Sequence, residues 1–276
     1  MKPLRVGIST CPNDTFAYGA LLERDGGPYE FVLDDVQALN ERARGGDLDV
    51  FKLSAAAALR LADSVVVLPA GGAFGFGVGP VVLSAADEPE ADDARVLCPG
   101  ADTTAHLLWR VFHPESRRVE QRVFSDIVPA LLRGDADLGV CIHEARFTYR
   151  ERGLHLWGDL GSLWERVTGL PLPLGVVGAR RDVWEERRDD VRTFVRELRS
   201  SIASGHADPS SRLPVMRRYA QEFDDAVLMK HVELYVNAWT TDLGLEGRAA
   251  LHELFERARD AGFTSQLLPP TVVEVP

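Results

Sequence analysis

The chain uses one hydrophobic pattern twice. Residues 4–9 form a short apolar, β-branched run that ends in a polar turn at 10–14, which predicts a strand followed by a capped helix start. The same order recurs later, with an apolar run at 95–99, a polar turn at 100–104 and apolar residues at helical spacing over 105–112. We therefore expect two copies of a strand-turn-helix unit.

A second pair of segments repeats in the same order. Residues 37–54 and 126–143 each predict a helix, a Gly-Asp-x-Asp turn and a buried strand, with the turns beginning at Gly46 and Gly134. Two α/β units of this kind indicate two similar lobes with largely parallel sheets rather than one long sheet.

Two further apolar stretches predict how the lobes are joined. Glycines interrupt an extended run at 71–83, which predicts a strand that crosses between the lobes, and residues 169–177 predict the return. The pattern then becomes helical, so the tail is expected to rejoin the first lobe. Helices are predicted at 183–204, 213–223, 225–239 and 245–261.

This layout corresponds to a two-lobed α/β fold of the type II periplasmic-binding-protein kind, with the second lobe inserted into the first. The predicted first lobe is discontinuous and comprises residues 1–82 and 176–276. The predicted second lobe comprises residues 83–175, and a ligand cleft is expected between the two. Fold alone does not assign a function.

The amino-acid composition and the net charge disfavour some classes of binding partner. The 276 residues are 45% hydrophobic and carry a net charge of −11, which disfavours nucleic acid. No apolar stretch approaches the ~20 residues needed to cross a bilayer, and the first residues lack a signal-peptide core, so a cytoplasmic protein without a membrane partner is expected. Three cysteines without a C-x-x-C spacing favour neither disulfides nor a thiolate zinc site.

Candidate chemistry lies where the predicted strands end, because ligands of open α/β sheets bind beyond the carboxyl ends of the strands. The segments in question are 9–15 and 52–54 in the first lobe and 99–105 and 143–146 in the second. All four are expected to face one cleft.

His143 is the best candidate for a catalytic base. It follows the apolar run 138–142, and the reference pKa of ~6.5 for histidine suits general base catalysis. The alternative is a surface histidine or a core histidine with satisfied hydrogen bonds. Phe147 stands where a zincin motif would need a second histidine, and the glycines of 71–83 match no nucleotide motif. No metal or other cofactor is therefore expected.

Several polar residues have a structural alternative to ligand binding. Asp14 and Ser54 lie at predicted helix starts, where capping explains them, and the same applies to Thr103 and Thr104, whose amides would also suit an anion. The tryptophans 157, 164 and 239 would stack on a planar ligand, but core packing is the commoner use of tryptophan.

Six separate blocks carry a resemblance to a known family. In order along the chain they are Cys11-Pro12-Asn13-Asp14-Thr15-Phe16, Lys52-Leu53-Ser54, Thr103-Thr104-Ala105, His143-Glu144-Ala145-Arg146-Phe147-Thr148-Tyr149, Thr168-Gly169-Leu170-Pro171-Leu172-Pro173-Leu174-Gly175 and Tyr235-Val236-Asn237. On these blocks the chain resembles the 1,4-dihydroxy-6-naphthoate synthases of the futalosine route to menaquinone, nearly from end to end.

The resemblance implies conversion of a small anionic substrate, cyclic dehypoxanthinyl futalosine, to 1,4-dihydroxy-6-naphthoate with release of dihydroxyacetone, and without metal or redox cofactor. It implies His143 as the base. It also implies substrate contacts, to which Asn40 is added by position: Lys52, Leu53, Ser54, Thr104, Ala105 and Asn40. The alanine run 55–58 departs from the pattern, because relatives carry an aromatic residue nearby.

Two rival functions stay open at this point. Chorismate dehydratase of the same pathway shares the fold and also begins with proton abstraction, although the block at His143 favours the synthase. A non-catalytic solute receptor for a transporter has the same two-lobed architecture, and the absence of a signal segment argues against it.

Overall fold

The structure is a computed structural model of the chain. It describes residues 2–24, 26–86, 93–142, 145–219 and 224–276. His143 and Glu144, and with them the predicted catalytic base, lie outside the described residues.

The first sheet combines four strands from the N-terminal part of the chain with one strand that follows the second sheet in sequence. Its strand order is β2-β1-β3-β10-β4, in which β10 returns from the far side of the second sheet. The strands are β1 (Leu4–Ser9), β2 (Tyr29–Asp34), β3 (Val50–Ser54), β4 (Val65–Gly75) and β10 (Leu172–Arg180).

The second sheet has the same arrangement. Its order is β7-β6-β8-β5-β9, so that β6, β7 and β8 take the places of β1, β2 and β3. The strands are β5 (Val81–Ser84), β6 (Val96–Cys98), β7 (Val119–Gln121), β8 (Leu138–Cys141) and β9 (His155–Asp159).

The predicted duplication is thus confirmed, and the sheets are largely parallel as expected, with one strand of opposite direction in each. Four strands of each sheet run in one direction, whereas β10 runs antiparallel to its neighbours β3 and β4, and β5 runs antiparallel to its neighbours β8 and β9. The strand that arrives from the other lobe enters each sheet in the opposite direction. Neither hydrophobic pattern nor length distinguishes such a strand from a parallel one.

Helices surround both sheets. Gly46 and Gly134, the first residues of the two Gly-Asp-x-Asp turns, both have φ of 74°, a left-handed conformation that favours glycine after a helix. Among the described residues the helices are α1 (Pro12–Ala17), α2 (Gly19–Leu22), α3 (Val36–Gly45), α4 (Ala55–Arg60), α5 (Thr104–Phe112), α6 (Phe124–Leu132), α7 (Ala145–Thr148), α8 (Leu160–Thr168), α9 (Arg181–Glu186), α10 (Arg188–Ala207), α11 (Leu213–Tyr219), α12 (Asp225–Tyr235), α13 (Ala238–Thr241) and α14 (Gly244–Asp260), with a 3-10 turn at Pro209–Arg212.

The chain crosses between the lobes twice. The run 71–83 is not one crossover strand, because it bends at 76–80 between β4 and β5. Gly79 has φ of 127°, and a Cβ there would lie 2.8 Å from the Cα of Gly161. The return passes through 169–171, and the predicted lobe boundary between 175 and 176 falls inside β10.

The C-terminal helices pack on the first sheet and its helices, as expected. The predicted helix 225–239 is interrupted, because Asn237 accepts a hydrogen bond from the Trp239 amide and begins α13 with a capping box. The predicted helix 183–204 is likewise split, at Arg187. None of the described helices is both long enough and apolar enough to span a bilayer.

One hydrophobic core runs through both lobes. Residues 55–58 of helix α4 are all alanine, and their small buried side chains let α5 of the second lobe and α14 approach the helix closely. Asp102, in the loop before α5, pairs with both Arg44 and Arg60 of the first lobe. The lobes are therefore in direct contact in this structure.

Candidate active site

A cavity of about 740 Å³, part of it open to solvent, lies between the two sheets. Its wall comes from the carboxyl ends of β1 and β3, the starts of α1 and α5, the two crossovers and helix α12. The lining residues are Ser9, Cys11, Asn13, Asp14, Val36, Lys52, Leu53, Ser54, Ala73, Gly79, Pro80, Thr103, Thr104, Ala105, Ile142, Leu174, Gly175, His231 and Tyr235.

Five of the predicted contact residues lie on this cavity. Lys52, Leu53 and Ser54 end β3 in the first lobe, and Thr104 and Ala105 begin α5 in the second lobe. The rule that ligands bind beyond strand ends therefore brings together the segments that the sequence singled out.

Asn40 lies behind the cavity wall and fixes Ser54. It is fully buried on α3, and its Oδ1 accepts the Ser54 amide at 2.9 Å while its Nδ2 donates to Ser54 Oγ at 3.1 Å. Because Ser54 Oγ accepts from Asn40, the Ser54 hydroxyl hydrogen is left to donate. No acceptor for it lies within the described residues, so it is available to a ligand.

Ser54 does not cap α4 as the capping alternative expected. The amide of Ala56 in the first turn of α4 instead donates to Thr104 Oγ1 of the second lobe at 3.2 Å, and Thr104 Oγ1 donates to the carbonyl of Leu174 at 2.8 Å. The Thr104 hydroxyl therefore links α5 to helix α4 and to strand β10 of the first sheet.

The start of α5 presents free backbone donors to the cavity. Thr103 is the N-cap and accepts the His106 amide at 3.2 Å. The amides of Thr104 and Ala105 have no acceptor in the part of the chain that the structure describes. A helix N-terminus with unpaired N–H groups suits a carboxylate.

Lys52 is buried in an ion pair with Asp14. Its Nζ lies 2.7 Å from Asp14 Oδ1 and donates to the Gly71 carbonyl at 2.8 Å. Asp14 also accepts from Ser9 Oγ at 2.7 Å and from Asn13 Nδ2 at 3.0 Å. The expectation that Asp14 caps α1 is wrong, because its carboxylate turns toward the lysine, which attracts it more strongly than neutral amides do.

The structure describes the residues that flank His143 and Glu144 but not these two residues themselves. Ile142 lines the cavity, and Arg146 donates to Asp159 Oδ2 at 2.8 Å and to the Gly79 carbonyl at 3.1 Å. Arg146 is thus held in an ion pair with Asp159. The role of His143 stays a prediction.

Comparison with known proteins assigns the family. The sequence profile of a family described as menaquinone biosynthesis matches residues 4–260. The chain belongs to the menaquinone-biosynthesis family. Two curated members, both named 1,4-dihydroxy-6-naphthoate synthase, resemble it over nearly the full length. The Thermus thermophilus protein is 41% identical over 99% of this chain and 100% of its own, and the Streptomyces coelicolor protein is 37% identical over 96% of each.

Solved structures extend the comparison to the fold. A crystal structure of a protein from Archaeoglobus fulgidus matches this family member with a TM-score of 0.87 and 31% identity, over 95% of this chain and 98% of the other. The periplasmic aliphatic sulphonate binding protein of Escherichia coli matches with a TM-score of 0.66 at 13% identity, over 99% and 94%. The second likeness shows the two-lobed fold alone.

Sequence reasoning missed one titratable residue of this menaquinone-biosynthesis protein's cavity. His231 lies on α12 among the C-terminal helices, is 7% exposed and has its ring centroid 4.5 Å from that of Tyr235. It follows no strand, so inspection of strand ends passed over it. The spacing of four between His231 and Tyr235 on a helix was the available signal.

The tryptophans do not reach the cavity. Trp164 is fully buried and donates from Nε1 to the Leu170 carbonyl at 3.0 Å, while Trp157 packs near Trp109 and Trp239 contacts Phe76. The core alternative is confirmed for them. Among the described residues, no group of three His, Cys, Asp or Glu side chains is arranged to hold a metal ion.

Proposed function

We propose that this chain is a carbon–carbon lyase that converts cyclic dehypoxanthinyl futalosine to 1,4-dihydroxy-6-naphthoate and releases dihydroxyacetone. The observation that carries the proposal is the cavity, because the contact residues implied by the family resemblance converge on it from both lobes. The names of the two full-length relatives support the product.

The cavity supplies the groups that such a substrate needs. The amides of Thr104 and Ala105 bind its carboxylate at the start of α5. The Ser54 hydroxyl donates to a ring oxygen, held in place by Asn40. Lys52 has a third N–H beyond those used by Asp14 and Gly71, and it adds a further donor without leaving an uncompensated charge.

In the proposed mechanism His143 removes a proton from the carbon beside a ring carbonyl. The electrons of that C–H bond form a ring double bond, and the electron pair of the carbon–carbon bond to the sugar-derived fragment leaves with the fragment. Formation of the aromatic ring drives the cleavage. The substrate divides into two products without an external oxidant, so the proposal includes no metal or redox cofactor.

Closure of the two lobes positions the reacting carbon and excludes water. The first lobe comprises residues 1–82 and 176–276, and the second lobe comprises residues 83–175. The contact of Thr104 with Ala56 supports this step, because it joins the two lobes at the cavity wall. We also propose that the protein acts in the cytoplasm, since its relatives are named for biosynthesis.

The test is turnover of cyclic dehypoxanthinyl futalosine by the wild type and by His143→Ala, followed by the dihydroxynaphthoate absorbance. His252→Ala, at an exposed histidine of α14, is the matched control. We expect His143→Ala to lose about 10²- to 10⁴-fold in kcat while it still binds the substrate, and the control to keep wild-type activity.

Other outcomes separate the rivals. Absence of product from the wild type contradicts the lyase, and dehydration of chorismate instead assigns the sibling dehydratase. Tight binding without any turnover assigns a receptor. Full activity of a folded His143→Ala variant keeps the lyase and excludes His143 as its base.

A further inference from the structure

The cavity is lined by an imidazole on an element that the proposed mechanism does not use. Helix α12 packs against α1, whose residues Asn13 and Asp14 lie on the cavity wall. Its N-cap Asp224 accepts the amides of Ala226 at 2.8 Å and Val227 at 3.2 Å, which fixes the start of the helix. His231 and Tyr235 then project from the same face, onto the cavity.

We infer that His231 is a second acid–base residue of this site, which returns a proton to the departing sugar-derived fragment. The inference rests on the proposed function and adds to it the group that completes the proton balance. His231 lines the cavity, so it is placed to contact the substrate directly.

The proton balance of the cleavage requires a proton source for the departing fragment. In the proposed cleavage one proton passes from the ring carbon to His143, and the fragment leaves as an enediolate with the electron pair of the broken carbon–carbon bond. That enediolate becomes dihydroxyacetone only when a carbon of it gains a proton. A proton donor on the cavity wall shortens the transfer to the fragment.

The other polar groups of the wall are poorer donors. Lys52 is fixed by Asp14 and the Gly71 carbonyl. Burial raises the pKa of Tyr235 to about 12, so its phenol is a weak acid that donates a hydrogen bond rather than a proton. An imidazole can both donate and accept a proton, which general acid–base catalysis requires.

The arrangement predicts a bell-shaped pH profile of kcat. His143 must be neutral and His231 protonated, so activity falls at low pH when the base is protonated and at high pH when the acid loses its proton. Other titratable or charged groups line the cavity together with His231 or influence the pKa of its neighbour Tyr235. They are Cys11, Asp14, Lys52, Tyr235, Arg146 and Asp159.

The experiment measures substrate affinity and the pH profile of kcat for the wild type, His231→Gln and His231→Asn. We expect both variants to lose at least about 10²-fold in kcat, to change substrate affinity less than about threefold and to lose the decline at high pH. Cys11→Ser and Tyr235→Phe are the controls, and each is expected to keep that decline.

The outcomes distinguish this inference from the proposed function. Wild-type turnover without a decline at high pH overturns the role of His231 and needs no variant to fold. If the wild type turns over and the kcat of His231→Gln or His231→Asn stays within about threefold of the wild-type value, the role of His231 is also overturned. The same holds if weaker substrate binding alone explains the loss of activity. Absence of any wild-type turnover overturns the proposed lyase and this inference together.

Discussion

Lys52 and Asp14 form a buried ion pair, 2.7 Å from Nζ to Oδ1, on the wall of the cavity between the lobes. The side chains are only 6% and 2% exposed, so each charge depends on the other for compensation. Lys52 therefore reaches the ligand as part of a neutral unit and not as an isolated positive charge.

Asp14→Asn is expected to lower the free energy of unfolding by about 3 kcal/mol, because it leaves the Lys52 ammonium buried without a counterion. Urea unfolding followed by circular dichroism measures the change. The double variant Asp14→Asn/Lys52→Met is the control, and it is expected to be more stable than Asp14→Asn alone, since no unpaired charge is left. Equal stability of the two variants would contradict a coupled pair.

Asn40→Asp is expected to weaken substrate binding about tenfold. The introduced carboxylate accepts the Ser54 amide as the asparagine does, but it also attracts the Ser54 hydroxyl hydrogen, which is then lost to the ligand. Calorimetric titration with substrate or product measures the affinity.

The control for Asn40 is the same change in a Ser54→Ala background. There it should have little further effect on affinity, because the hydroxyl through which Asn40 acts has been removed. An undiminished effect in that background would show that Asn40 contacts the ligand directly.

Asp102→Asn is expected to loosen the closed arrangement of the lobes. The Asp102 carboxylate is 5% exposed and pairs with Arg44 and Arg60 of the first lobe, so its neutralisation leaves two cations facing each other. The two arginines are partly exposed, and we expect a loss of stability of about 1–2 kcal/mol. Small-angle scattering should show a larger radius of gyration without ligand.

Asp189→Asn is the matched control for Asp102, because Asp189 pairs with Arg192 at 3.8 Å and is 97% exposed. It should change neither stability nor dimensions. An unchanged radius of gyration for Asp102→Asn would show that the apolar contact of α4 with α5 holds the lobes together without the ion pairs.

The protein is expected to lose stability as the pH falls below about 6.5, the reference pKa of histidine. Burial lowers the pKa of His106 and of His113, so the folded state resists protonation that the unfolded state accepts. The unfolded state then binds more protons, and stability rises with pH through this window. Urea unfolding at pH 5.5 and 7.5 measures the dependence.

His106→Gln and His113→Gln should each reduce the difference between the two pH values. His252→Gln, at an exposed position, should leave it unchanged. An equal slope in all the variants would mean that other groups determine the acid sensitivity.

Local pattern was sufficient for much of the fold. The two strand-turn-helix units and the two Gly-Asp-x-Asp turns follow from short-range hydrophobic spacing and from glycines at left-handed positions, and the structure has them. The direction of β5 and β10 did not follow, because strand direction depends on which lobe the chain comes from.

The candidate site was likewise only partly predictable from the sequence. Lys52, Ser54 and Thr104 follow strands or begin helices, so position along the chain already indicated a common cleft. The partners of these residues did not follow from the sequence. Asp14 meets Lys52 across 38 positions, and the Thr104 hydroxyl meets Ala56 and Leu174 rather than being left for a ligand.

The sequence by itself therefore determined the repeated units, the crossovers and the strand-end residues, because each depends on neighbours within a few positions. The tertiary structure alone decided that Asn40 acts through Ser54, that Asp14 neutralises Lys52 and that His231 of the C-terminal helices reaches the cavity. Hydrogen bonds and burial between distant segments depend on packing geometry, which no local pattern encodes.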